Sequence, residues 1–194
     1  AILNNGTVDN RAGGFRGNYF PLENPSLRMQ AELYDLMNEF AVDQDTLRAG
    51  LYQILDNDGN ISYITNMFEA EFFNIPVLTL THMHLIRAEA SGELSTNLDQ
   101  AVQDVNAIRT RAWGSVVANL PEGASASEII EAARLERRLE FPFTGQRTHD
   151  LKRIGSQGEP VIIRDAVWDC NGMVLQFPAT EATSVFELNP TGGC

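Results

Sequence analysis

Apolar residues recur every three or four positions through much of the chain, the spacing of helices that bury one face. The clearest stretch holds Leu98, Ala101, Val105, Ile108 and Ala112 in an unbroken stripe, with Thr96 or Asn97 placed to cap it. A second helix is predicted before it, from Val77 after Pro76 to a stop at Gly92. Only residues 92–97 join the two, so they fold back as an antiparallel helical pair of the tetratricopeptide kind. One such pair cannot bury its own apolar face, so packing neighbours are required.

The same period continues on both sides. Leu120-Pro121-Glu122-Gly123 interrupts it, and Ser125 with Glu128 forms a capping box for a helix closing near Phe141-Pro142. Ile129, Ala132, Ala133, Leu139 and Phe143 mark its apolar stripe, and a short helix over 146–154 follows, stopped by Gly155. Nearer the start, Asn24-Pro25-Ser26 opens a helix to about Phe40, with Leu27, Leu33, Tyr34, Met37 and Phe40 inward. Over Leu51–Thr65 two β-prone runs flank Asn57-Asp58-Gly59 and predict a hairpin. The Asp56, Asp58, Asn60 spacing is not a calcium loop, because Gly59 is misplaced and no Glu stands at the twelfth position. Residues 1–25, rich in Gly and Asn, read as an irregular segment. Beyond Gly155 the chain reads as loop with short extended pieces at 161–168 and 173–177. The predicted class is mainly α: tetratricopeptide-like helical hairpins, irregular loops and a small β-hairpin, with residues 26–194 as one region.

One position breaks the pattern. Glu136 falls on an apolar stripe, so either it has a buried basic partner or the helix is less buried than it reads. Arg147 and Arg153 on the next helix are the expected partners. With Glu140 and Asp150 they make a structural ion-pair clasp, a device that fixes geometry more than it adds stability.

Composition narrows the function. The chain has 194 residues, a net charge of −12 and a single lysine, Lys152, among its fourteen basic residues. That balance excludes nonspecific nucleic-acid binding and disfavours docking on anionic lipid. No apolar run is long enough to cross a bilayer, and no basic segment precedes an apolar one at the start. The opening AILNNGTVDN reads as an internal cut or a processed end, so the expectation is a piece of a larger protein. Cys170 and Cys194 either pair in an oxidising location or stand as unpaired thiols, and neither has metal-ligand spacing.

Catalytic chemistry finds no foothold. His82 and His84 point about 200° apart on a helix, and His149 does not face its neighbour Asp150. There is no nucleophile elbow, no phosphate-cradling loop and no carboxylate pair set apart by its surroundings. No catalytic residue, metal or cofactor is expected. Sugar binding asks instead for aromatic rings with amides and carboxylates beside them. Trp168, flanked by Asp169 and Asn171, is the first candidate platform; Trp113 and Tyr19 are the others. For each ring, ordinary packing is the competing explanation.

Three segments in order carry a resemblance: NIPVLTLTHMHLIRAEA, LDQAVQDVNAIRTRA and ARLERRLEFPFTGQRTHDLKRIG. Together they resemble the C-terminal region of SusD/RagB proteins, over roughly residues 74–155, with a looser match in LQFPATEATSVFELNP. The resemblance implies a lipid-anchored, surface-exposed, non-catalytic glycan-binding protein. Its partners would be an oligo- or polysaccharide and a TonB-dependent outer-membrane transporter. The chain departs from the family pattern at Thr148, His149 and Trp113. The family's N-terminal half and its lipidated cysteine are not seen, so membrane attachment is implied for a parent protein. The alternative function is a structural or protein-interaction module of a surface assembly.

Overall fold

The computed structural model describes residues 27–40, 48–67, 77–174, 177–181, 183, 185–186, 188–189 and 193–194. The irregular segment expected over residues 1–25, Tyr19 included, lies outside them. The chain divides after Glu140 into two units.

In the first unit the helices are α1 (Ala31–Asn38), α2 (Leu80–Glu93), α3 (Leu98–Trp113) and α4 (Ala126–Glu140), with strands β1 (Tyr52–Asn57) and β2 (Asn60–Thr65). The expected helical pair is α2 and α3, and α4 is the neighbour that it needs, packing against both. Their shared core is Leu85 and Ala88, Ala101, Val105, Ile108 and Ala112, and Ile129, Ala132, Ala133 and Leu139, all nearly inaccessible. The outer face of α2 stays apolar and open at Leu80, Met83 and Ile86.

The caps show why these segments turn where they do. The Thr79 hydroxyl accepts from the His82 N–H and starts α2 three residues later than Pro76 suggested. Gly92 does not stop α2, which runs on to Glu93. A Cβ at Gly92 would lie 2.7 Å from Cγ1 of Ile130 and 3.1 Å from the Ala126 carbonyl, so the glycine lets α2 approach α4. Ser95 and Asn97, both at positive φ, make the reversal instead. Asn97 occupies the cap position of α3 without a side-chain cap bond. The capping box forms as expected: the Ser125 N–H donates to Glu128, and the Glu128 N–H donates back to the Ser125 hydroxyl.

The first helix is shorter than predicted. The Met29 N–H donates 2.8 Å to the Tyr63 carbonyl and bridges to β2, and Gln30 is extended, so α1 begins only at Ala31. Met37 is buried and Leu33 and Tyr34 half-buried, but Leu27 and Phe40 are exposed. The β1–β2 hairpin closes on Asp58 (φ 54°) and Gly59 (φ 85°), the backbone of a tight reversal whose twist suits paired strands.

In the second unit, helix α5 (Gln146–Ser156) continues through Gly155, which again is not the stop expected. Phe143 lies beyond α4 at a positive φ of 63°, not on that helix's stripe. Two short strands, β3 (Ile162–Ile163) and β4 (Ala166–Val167), pair around Arg164-Asp165. A 3-10 turn follows at Asn171–Met173, and Val174 after it is extended; residues 175–176 of the expected extended piece lie outside the described residues. Cys170 and Cys194 are disulfide-bonded, with Cα atoms 5.6 Å apart.

Candidate functional site

The misplaced acid has its basic partners. Glu136 is fully buried: one carboxylate oxygen accepts 2.9 Å from Nε of Arg109 and the other accepts from Arg48. Glu140, one turn later, accepts 2.8 Å from Nε of Arg48 and is also bonded by Arg111. Within the first unit these guanidinium groups come from α3 and the segment before β1. The clasp expected with Arg147 and Arg153 would join the two units and stays an expectation. Arg147 is exposed on the first turn of α5, and Asp150 of that helix sits 3.8 Å from Arg153.

Trp113 is part of the same layer. It is 2% exposed, its indole N–H donates 3.2 Å to the Met37 carbonyl, and the Arg48 guanidinium lies 5.0 Å from its ring centre. Phe40 meets it edge-on at 5.4 Å. A ring so enclosed offers no face to a sugar, so Trp113 is corrected from platform to core. Tyr52 lies near this layer, its phenol pushed well above the usual range by burial and then by Glu140, with Arg48 opposing.

A second ionic layer ties α2 to its neighbours. Asp104 on α3 is buried and accepts two bonds of 2.7 Å from Arg87, while His84 lies 2.7 Å away through Nδ1. Buried Glu89 accepts 2.7 Å from Arg134 of α4, which also reaches Glu93 at 2.9 Å. Residues two apart on a helix face nearly opposite ways, so Arg87 serves α3 and Glu89 serves α4. The Arg-Ala-Glu-Ala stretch is thus an inter-helix tie.

Burial pushes the Asp104 carboxyl up, but the hydrogen bonds from Arg87 and His84 outweigh it and hold the group below the usual aspartate range. A depressed native pKa contributes stability at pH values above the unfolded pKa, about 3.9 for aspartate, and loses it as pH falls through the lower native value. Asp104→Asn is expected to flatten the acid side of the stability profile, read as the urea midpoint against pH from about 5 downward. An unchanged acid limb would show that Asp104 carries none of it.

A shallow groove runs along α3 past Gln103, Asn106, Thr110 and Glu122. Its central polar groups are already spent: the Asn106 amide bonds both backbone groups of Leu120, and Thr110 bonds Asn119. Among the described residues no group of His, Cys, Asp and Glu could hold a metal ion.

The second unit carries the open aromatic. Trp168 is half-buried, with Asp169 and Asn171 exposed beside it. It sits in a four-residue turn closed by the Cys170 N–H donating 3.1 Å to the Val167 carbonyl. A Cβ on Gly155 would stand 2.3, 2.5 and 2.6 Å from Cγ, Cδ1 and Cδ2 of the indole. Near-equal distances to three ring atoms place the Gly155 backbone against the face of the ring, not its edge. Only a residue without a side chain fits beneath it. An isolated glycine inside a helical pattern was the one cue to this contact in the sequence.

A family model described as the SusD family matches residues 60–188. No curated protein and no solved structure matches the chain.

Proposed function

Because the chain belongs to the SusD family, whose members bind nutrients, glycans foremost, at the cell surface, we propose that it captures an oligo- or polysaccharide on the Trp168 turn. It then delivers that glycan to a TonB-dependent outer-membrane transporter and catalyses no reaction itself. The supporting observation is the indole braced on Gly155 with a carboxylate and an amide exposed alongside. The apolar face of a pyranose stacks on such a ring, and its hydroxyls bond the polar groups at the rim. Asn171 is assigned the amide contact.

The proposed location is the outer membrane at the cell surface, held there by a lipid anchor on the parent protein. No helix among the described residues is long and apolar enough to cross a membrane. The disulfide suits an oxidising compartment.

Retardation in native gels cast with starch, xyloglucan, mannan or pectin tests the reading. Trp168→Ala is expected to lower affinity about tenfold, worth ~1.4 kcal/mol, with the far-ultraviolet circular dichroism of the folded chain retained. Equal retardation of both chains would remove Trp168 from the site. The open apolar face of α2 favours a second reading, an interaction module that docks a further helical pair. A chain that binds none of the four glycans yet sediments as an oligomer belongs to that reading.

A further inference from the structure

The Trp168 turn is fastened to its unit at three points, and the fastenings share one logic. Residues three apart on a helix lie on one face, and Lys152 and Gly155 stand so on α5. Gly155 forms the floor under the indole. The Lys152 ammonium donates 2.9 Å to the Met173 carbonyl and pins the far end of the same segment. Between those two points lies Cys170, which closes the turn by its N–H and is bonded through sulfur to Cys194, 24 positions on. The chain's only lysine and its only two cysteines all serve a stretch of seven residues, 167–173.

A lone stacking ring binds well only when its rotamer and backbone are set before the ligand arrives. A short turn on a two-residue strand has little to set it: β3 and β4 contribute only Ile162–Ile163 and Ala166–Val167. We propose that the Cys170–Cys194 disulfide, with Gly155 and Lys152, is the positioning device of the glycan platform, so that opening the disulfide frees the Trp168 indole and weakens glycan capture. This rests on the reading of Trp168 as the glycan platform. These residues are positioning residues; none of them is assigned a contact with the sugar.

Opening is a two-electron step. A dithiol such as dithiothreitol supplies two electrons and two protons, the S–S bond becomes the thiols of Cys170 and Cys194, and the reagent closes to its cyclic disulfide. With two cysteines in the chain, the reagent has one target.

The test uses the whole chain in four forms: oxidised, reduced with dithiothreitol, Cys170→Ser with Cys194→Ser, and Gly155→Ala. Acrylamide quenching of Trp168 fluorescence is taken as the difference from the matching Trp168→Phe chain, which cancels the enclosed Trp113. Gel retardation in starch, xyloglucan, mannan and pectin is run beside it. Opening the disulfide is expected to raise the quenching constant of Trp168 and to lower affinity for the best of the four glycans about tenfold. Gly155→Ala is expected to lower affinity with the disulfide intact, although alanine is the better helix former. Quenching and retardation alike in the oxidised and opened chains would overturn the proposal. Retardation by none of the glycans, with quenching that responds to opening, would instead sink the glycan reading and leave the positioning of the ring upheld.

Discussion

Glu136→Ala is expected to destabilise the first unit by about 3–5 kcal/mol, the range for removing one partner of a buried ion pair. The cost lies mostly in what remains. Arg48 is 4% exposed and would keep its charge with one carboxylate in place of two, and Arg109 would lose its only carboxylate among these bonds. Folded proteins stand only about 5–15 kcal/mol below their unfolded states, so a loss of this size leaves a chain close to melting. Urea unfolding followed by far-ultraviolet circular dichroism measures it. A cost under about 1 kcal/mol, the scale of an exposed pair, would show that the layer is wetter than its burial implies. Replacing Glu136 and Arg109 together with apolar residues of matching volume should cost less than Glu136→Ala alone, because Arg48 keeps Glu140 and a well-packed apolar substitute for a buried pair is often neutral.

Trp113→Ala should cost a similar ~3–5 kcal/mol, for a different reason. The indole fills space between α1 and the Arg48 and Arg109 guanidinium groups, and truncation leaves a void next to them. The Met37 carbonyl loses its donor, and Arg48 and Arg109 lose the ring they lie against, an attraction of about 0.5–2 kcal/mol when desolvated. Trp113→Phe isolates the indole N–H and should cost about 1–2 kcal/mol. The measurement is chemical unfolding read by near-ultraviolet circular dichroism. Glycan affinity per folded molecule should not change, which separates this tryptophan from Trp168. The two large effects will not add, because Glu136 and Trp113 meet through the same arginines.

What the sequence made legible was local. The β-hairpin needs only an Asp-Gly reversal between β-prone runs, the capping box only Ser125 and Glu128, and the α2–α3 pair only two periodic stretches and a short link. Glu136 was legible as an anomaly, since one acid on an apolar stripe stands out. Its partners were not. Arg48 is 88 positions away, and no periodicity reports a contact of that separation.

The two tryptophans teach the same thing. Trp113 follows Ala112 and Trp168 follows Val167, and exposure is decided by what other elements bring. A cue existed for Trp113: Val102, Arg109 and Trp113 repeat at helical spacing beside the main stripe, and Val102 and Trp113 are both buried. In the sequence Gly92 and Gly155 look like helix stops, because a missing Cβ suits a terminus. The same missing Cβ serves close packing, and one letter cannot say which.

Lys152 offers an unplanned handle. It is the chain's sole lysine, so a reagent that acylates side-chain amines has a single address, and that amine is already occupied by the Met173 carbonyl. Acylation would delete the donor and tag the site in the same stroke. Its slowness relative to a free lysine would clock how seldom the segment lifts from the helix beneath it.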